Sequence, residues 1–342
     1  MAANPPVFTA TSTSARQLNG LLRCISVTKS ATVRLGADGL RISTEEGSAM
    51  EAFVFLAKDL FSTYNYNASP PPSSQDDAPP PPVFEVNLAA LLETLSIFTL
   101  SDPNTTAKKE SGGYDAFAAH RLNRHAGIGA FSGPLLSNTG TCTFTYRGEG
   151  SALEIHMAEA GCSTTCELTT YEPQSIDEIP FNRDALALKT IMRSSYLLDA
   201  VNELSSMNPQ HITILAKPSS RGGVDGGELS LTAAGALGSA TVDFTTNTAS
   251  ETPILETFSC SSKTSASFKF ALIKSAQRAM AAATKVSMRL DEEGVLSLQF
   301  LVEVEAGSGQ GEGVAFVDFR VVPLVEGEAE GEDDGSNDSS ED

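Results

Sequence analysis

One succession of elements occurs twice in this chain, and that repetition limits the fold more than any other feature of the sequence. From Ser267 to Leu324 the chain begins with an alternating, strand-like segment, Phe268-Lys-Phe-Ala-Leu272. An Ala-rich amphipathic helix follows, from Ile273 to about Ala283. Next comes a hairpin, Lys285 to Leu290 and Gly294 to Val302, turning at Asp291-Glu-Glu-Gly294, and a last alternating strand from Val314 to Val322. The same order recurs upstream: Phe84–Leu88 as strand, Ala89–Phe98 as helix, Thr141–Tyr146 and Ala152–Met157 around the turn Arg147-Gly-Glu-Gly150, then Cys166–Tyr171. Few residues are identical, but order, hairpin spacing and apolar period correspond.

The stretch ahead of each copy repeats as well. Val7–Thr11 alternates, and Ser12 or Ser14 can cap a helix whose Leu18, Leu21, Leu22 and Ile25 fall at helical spacing. Thr32–Leu35 and Leu40–Thr44 flank an Asp-Gly turn, a hairpin signal, and Glu51–Leu56 is a third strand. In the second half Leu186–Lys189, the stripe Tyr196, Leu197, Val201 and Leu204, and the strands His211–Leu215, Glu228–Thr232 and Ala240–Phe244 follow suit. Each half therefore reads strand, helix, three strands, strand, helix, three strands. The expected class is α+β: two similar domains, each with two helices packed on antiparallel sheets.

Three polar segments interrupt the pattern. Residues 69–82 are Pro- and Ser-rich and read as an extended, solvated insertion; residues 101–140 are polar and Gly-rich; residues 170–182 join the halves. The expected division is a first domain over 1–169 carrying both insertions, a connecting loop over 170–182, a second domain over 183–325, and a disordered acidic tail over 326–342. The length of 342 residues suits two domains. No apolar run approaches the roughly 20 residues of a membrane span, and Met1-Ala-Ala-Asn-Pro-Pro has no signal-peptide character. Five cysteines, an odd number, argue for a reducing compartment rather than a disulfide framework. The net charge of −20 disfavours a base-reading DNA binder, yet the tail holds nine acidic residues and no basic one, leaving −11 on residues 1–325.

With both repeats placed, the chain resembles the eukaryotic sliding clamps, the family of proliferating cell nuclear antigen, and in particular the Rad-one-type subunits of the heterotrimeric checkpoint clamp. The residues that carry the likeness are Ser30-Ala-Thr-Val-Arg-Leu-Gly-Ala-Asp-Gly-Leu-Arg-Ile-Ser43, Thr284 to Phe300, and Val317-Asp-Phe-Arg-Val-Val-Pro323, and it covers about residues 5–325. The resemblance implies a DNA-clamp architecture with helices lining a hole, strands outside, and edge strands joining two other subunits into a ring. It implies nuclear action in the DNA-damage checkpoint and repair, encirclement of duplex DNA without sequence specificity, an ATP-dependent loader, repair and signalling partners, and no cofactor or membrane. A homotrimeric replication clamp and a metal-dependent 3′–5′ exonuclease are the rival readings.

The expected DNA-facing residues are Arg16 and Arg23, seven apart on the first helix, Arg193 at the start of the third, and Lys274 and Arg278, four apart on the Ala-rich helix. Charged residues on amphipathic helices ordinarily just face water, and Glu93, Asp199 and Glu203 make the lining patchy. In the connecting loop Ile176, Ile179, Pro180 and Phe181 are expected to rim a pocket for partner peptides; the plainer alternative is that they staple the domains together. The acidic clusters Asp291-Glu292-Glu293, Asp177-Glu178, Glu45-Glu46 and Asp76-Asp77 sit in turns or loops, without the converging carboxylates of a two-metal nuclease, so no catalytic residue is expected. Cys162 and Cys166 lack a second ligand pair, so no metal site is expected either. His120 and His125 lie in a loop with Arg121 and Arg124, Gly127–Gly133 lacks the strand–turn–helix context of a phosphate loop, and Ser339 and Ser340 precede acidic residues that acidophilic kinases accept.

Overall fold

The computed structural model of the chain describes residues 5–67, 81–97, 140–159, 161–173, 178–218, 227–246, 253–307 and 312–325. The expectations for residues 69–80 and 101–139, for Ile176 and Asp177, for His120 and His125, and for the acidic tail lie outside these residues.

The first half contains β1 (Phe8–Ser12), α1 (Ala15–Cys24), β2 (Ser30–Leu35), β3 (Gly39–Glu46), β4 (Met50–Ala57), β5 (Thr63–Tyr66), β6 (Val83–Asn87), α2 (Leu88–Ser96), β7 (Thr141–Tyr146), β8 (Leu153–Glu159) and β9 (Cys162–Leu168). The second half follows with β10 (Leu186–Arg193), α3 (Ser194–Ser205), β11 (His211–Pro218), β12 (Gly227–Gly235), β13 (Gly238–Thr245), β14 (Leu255–Cys260), β15 (Thr264–Lys269), α4 (Phe270–Ser275), α5 (Gln277–Ala282), β16 (Lys285–Asp291), β17 (Leu296–Glu305) and β18 (Glu312–Val321). None of these helices is long and apolar enough to cross a membrane.

The local chemistry explains the helix starts. The Ser14 hydroxyl accepts the Gln17 backbone N–H at 3.2 Å, and the Asn87 side-chain oxygen accepts that of Ala90 at 3.0 Å, so each caps its helix. The Ala-rich helix begins at Phe270, three residues before its expected start, and the strand before it ends at Lys269 rather than Leu272. Phe268, Phe270 and Leu272 alternate like a strand, but Phe270 and Leu272 also lie on the buried stripe of α4 with Ile273. The helix is interrupted at Ala276, because the Ser275 hydroxyl donates to the Leu272 carbonyl at 2.5 Å and the turn tightens there.

Among the described residues every ladder is antiparallel, in three sheets: β5-β1-β7-β8-β9, β13-β12-β11-β15, and a nine-stranded sheet ordered β14-β10-β16-β17-β18-β4-β3-β2-β6. The large sheet fuses the two halves, since β18 pairs with β4 from Phe316↔Phe55 to Val321↔Met50. Its inner face carries Val54, Leu56, Phe300, Val317 and Phe319, all nearly inaccessible, against which the helices pack. β5 and β14 are additional to the expected pattern: both are short edge strands, each paired on one side only, with β1 and β10. β9 begins earlier than expected, at Cys162, and the chain from Thr169 onward leaves the sheet.

Candidate nucleic-acid interface and subunit edges

The helices form one layer ordered α2–α1–α5–α3, with α4 continuing α5. Hydrogen bonds fix it. The Asn19 amide donates to the Leu92 carbonyl, tying α1 to α2. Ser194 Oγ donates to the Met280 carbonyl, Gln277 Nε2 to Asn202 Oδ1, and Lys274 Nζ to Ser205 Oγ, so α3 runs antiparallel to α4 and α5. Across the two halves Arg278 Nη1 donates to Ser26 Oγ at 2.6 Å. Gln17, buried at the base of α1, pairs with both backbone groups of Glu305 on β17.

This order sorts the charges. The two central elements, α1 and the α4–α5 pair, carry Arg16, Arg23, Lys274 and Arg278 and no carboxylate; the flanking helices carry Glu93 on α2 and Asp199 and Glu203 on α3, with no cation between their bounds. All four basic side chains are exposed. Arg23 and Arg278 meet in a groove of about 440 Å³ that also includes Ser26, Leu92 and Glu93. Arg193 is exposed at the N-cap of α3, and thus outside the central pair. What the sequence shows as a patchy lining is, in three dimensions, a basic seam between acidic flanks. The signal was present in each helix; the neighbour order was not. A structural role coexists with it: Arg23 complements the C-terminal end of the α1 dipole, and Lys274 bonds the last turn of α3.

The connecting loop crosses the outer face of the nine-stranded sheet. Ile179 is buried and its carbonyl accepts Arg320 Nη1 at 2.8 Å; Pro180 is exposed; Phe181 is half-buried with Arg289 5.8 Å over its ring. The residue that anchors the loop is Glu178, whose carboxylate accepts Arg41 at 2.8 Å and Arg34 at 3.0 Å and lies 3.5 Å from Arg320. Burial pushes this carboxyl up, but Arg41, Arg34 and Arg320 together hold it below its ordinary range. Glu51 shares Arg41 at 2.6 Å and Arg320 at 3.6 Å, yet burial outweighs those guanidiniums and raises it. Arg41 also stacks 3.8 Å over Phe53. Asp318, further along the same face, is pushed by burial to about 6 against the pull of Arg289.

The acidic turn Asp291–Glu293 is occupied with structure. The Asp291 carboxylate, 2% exposed, accepts the backbone N–H groups of Asn182, Glu293 and Val295. Among the described residues no three His, Cys, Asp or Glu are grouped to hold a metal, and all five cysteines are free thiols, with Cys162 and Cys166 four apart on β9.

Two sheet edges stand out. β6 is capped where Glu85 and Tyr171 exchange both backbone hydrogen bonds, and β15 receives the Leu324 N–H on Ser267. β9 and β13, seven and eight residues long, have no such cap among the described residues and are the most exposed strands in their sheets.

A family model described as "Repair protein Rad1/Rec1/Rad17" matches residues 7–302. The DNA damage checkpoint control protein rad1 of Schizosaccharomyces pombe is 29% identical over 321 residues, covering 93% of this chain and 87% of that protein. The human cell cycle checkpoint protein RAD1 is 24% identical over 308 residues, covering 90% and 88%. The DNA repair exonuclease REC1 of Mycosarcoma maydis is 22% identical, covering 70% of this chain and 66% of that protein. Among solved structures, PCNA from Thermococcus kodakaraensis superposes with a TM-score of 0.59 at 16% identity, covering 93% of this chain and 100% of that one. A PCNA2–PCNA3 complex from Sulfolobus tokodaii gives 0.60 at 14% identity, covering 92% and 98%. These structures share the α+β clamp fold described above, and the family match runs through both halves: the chain belongs to the Rad1/Rec1/Rad17 family of repair proteins.

Proposed function

We propose that this protein is a non-catalytic subunit of a ring-shaped sliding clamp that encircles duplex DNA in the nucleus during the DNA-damage checkpoint and repair. One observation carries the reading. Within the chain, the last strand of the second half (β18) pairs with the third strand after the helix of the first half (β4), while the corresponding strands β9 and β13 are uncapped edges. The fold thus makes one of two equivalent junctions internally and presents the halves of the other, and a closed ring of three such units uses them all.

The register of the internal junction gives the chemistry of the external one. β8 and β9 correspond to β17 and β18 through Leu153↔Leu168 and Leu296↔Val321; β3 and β4 correspond to β12 and β13 through Leu40↔Leu56 and Leu229↔Phe244. Internally, Phe316 faces Phe55, Val317 faces Val54 and Arg320 faces Glu51. A second copy of this chain would set Ser163 against Asp243, Thr164 against Val242 and Glu167 against Ser239 of that copy. That pairing has no aromatic contact and no ion pair, so self-association is weak and the neighbours are different chains. This favours the checkpoint type of ring over a homotrimeric replication clamp.

Encirclement makes strong DNA affinity unnecessary, which reconciles an acidic chain with DNA. The seam of Arg16, Arg23, Lys274 and Arg278 supplies sequence-independent phosphate contact, while Glu93, Asp199 and Glu203 keep the flanks from adhering. No nucleotide-binding motif is read in the sequence, so opening the ring falls to an ATP-driven loader. Catalysis is not assigned: the Asp291 carboxylate is committed to three backbone N–H groups.

The deciding experiment is the mass of the purified chain, alone and mixed with candidate clamp subunits, followed by retention on circular against linear DNA. A monomer that becomes a one-to-one-to-one trimer, retained on circles and lost from linear ends, is expected. A self-sufficient homotrimer, or metal-dependent 3′–5′ degradation that survives extensive purification, refutes the reading.

A further inference from the structure

At the end of the first half, away from the helix layer, the two sheets part around a cleft of about 540 Å³. Its lining combines Tyr66, Phe84, Tyr146 and Tyr171 with two carboxylates, Glu149 and Glu172, and, among the described residues, no cation. Phe84 and Tyr146 stack with centroids 4.3 Å apart, making a rigid floor across the two sheets. Tyr171 is 58% exposed although its backbone is pinned on both sides to Glu85. Pro81 and Pro82 already form part of the wall.

The tyrosine hydroxyls distinguish this cleft from an ordinary gap between sheets. Neither Tyr66 nor Tyr146 makes a side-chain hydrogen bond among the described residues, whereas Tyr64 next door donates to the Gly36 carbonyl at 2.6 Å. Tyr146 is 3% exposed and, with Phe84, belongs to the buried base of the cleft. Burial and the neighbouring Glu149 charge both raise the Tyr146 phenol, which keeps it a hydrogen-bond donor.

We propose that this cleft is a docking groove for a basic, proline-rich peptide of a partner protein, bound in the polyproline II conformation. Such a peptide has no internal hydrogen bonds, so its carbonyls are free for the Tyr66 hydroxyl. Its proline rings pack on aromatic faces, which the cleft supplies at the half-buried Tyr66 and the exposed ridge of Tyr171. Its arginines pair with Glu149 and Glu172, and an arginine is also suited to stack on Tyr171. The groove is separate from the DNA seam, from β9 and β13, and from the connecting loop beyond Glu172, so its occupant can bind an assembled ring.

The test uses the full chain and a short fluorescent peptide that repeats Pro-Pro-Arg, read by anisotropy, with Gly-Gly-Arg and Pro-Pro-Glu repeats of equal length as controls. The Pro-Pro-Arg peptide is expected to bind, and both controls to bind at least about tenfold more weakly. Tyr171→Ala is expected to weaken binding about tenfold, and Glu149→Gln with Glu172→Gln to weaken it and flatten its salt dependence. Tyr171 is exposed, so its loss leaves the fold intact, and an unchanged melting temperature checks this. Equal binding of the Pro-Pro-Arg and Gly-Gly-Arg peptides would mean unspecific attraction to an acidic protein and overturn the proposal, as would no binding at all. Binding only after the prolines of residues 70–80 are replaced by glycine and serine would assign the groove to the chain's own segment and overturn it too. Trimer formation, measured in parallel, fails only if the ring reading fails.

Discussion

The shared arginines of the outer face set up a comparison of two carboxylates. Glu178 and Glu51 both pair with Arg41 and Arg320, and Glu51 is the more buried of the two. Burial alone ranks Glu51 as the more important; the electrostatics rank them the other way. Glu178 accepts charged hydrogen bonds from Arg41 and Arg34 and is held below its ordinary value of 4.5 despite burial, so its ionised form stabilises the fold. Glu51 is raised by burial and its Oε2 makes no hydrogen bond, so its charge is tolerated rather than favoured. In Glu178→Gln an amide oxygen in the place of Oε1 keeps the bonds from both Arg41 and Arg34 in neutral form, while the amide NH2 replaces the charged Oε2 beside Arg320. The net loss is the charge assistance of two hydrogen bonds, roughly 2 kcal/mol, discounted to about 1–2 kcal/mol because a third of the side chain is exposed. Glu51→Gln keeps the 2.6 Å bond to Arg41 in neutral form and removes a desolvated charge, and is expected to cost less than about 1 kcal/mol. Urea unfolding at pH 7.5 measures both. The sign with pH follows from the depressed carboxyl: its contribution is complete above 4.5 and disappears as pH falls through the lower folded-state value, so the Glu178→Gln difference should shrink towards pH 3. A larger cost for Glu51→Gln than for Glu178→Gln, or a Glu178→Gln cost that grows in acid, refutes the reasoning.

Asp318 makes the opposite prediction. Its folded-state value of about 6 exceeds the ordinary 3.8, so its stabilising, protonated form is complete below 3.8 and lost as pH rises through 6; Asp318→Asn should gain about 1–3 kcal/mol at pH 7.5 and nothing at pH 3.5 in thermal melts. Arg23→Glu with Arg278→Glu should lower the slope of log retention against log salt by about 2 in an assembled ring without altering its mass, while Glu93→Gln, Asp199→Asn and Glu203→Gln together should strengthen retention. On β18, Phe319→Ala should cost about 3–5 kcal/mol by emptying the space beside Phe300, whereas Phe316→Ala, whose ring is 39% exposed, should cost under about 1 kcal/mol in urea unfolding.

Much of this was legible in the sequence because the apolar period is strong where a strand has one buried face, as in Val33, Leu35, Leu40 and Ile42. The duplication and the four basic residues were readable for the same reason: both are local patterns. β5 and β14 were not, because Thr63-Tyr-Asn-Tyr66 and Leu255-Glu-Thr-Phe-Ser-Cys260 are edge strands held by β1 and β10, and their own composition is mostly polar. Nor was the break at Ala276, which depends on the hydroxyl of Ser275 choosing the Leu272 carbonyl. The grouping of the basic residues depends on α1 lying beside α5 across some 250 residues of sequence, and no window contains that. In the connecting loop the apolar residues drew attention, while the acidic Glu178 between them makes the contacts that hold it.

The β4–β18 ladder also dictates when this chain can finish folding. Phe55 and Phe316 are paired across roughly 260 residues, so during synthesis the first half waits with one edge of β4 unpaired, its other edge held by β3, until β18 leaves the ribosome. A nascent chain shortened before Glu312 keeps every other strand and still has an open, aromatic edge at its centre. The ten-residue β18 therefore acts as a late closing element: only a chain that includes it closes its middle, and one ended before it displays the kind of edge that chaperones and proteases recognise.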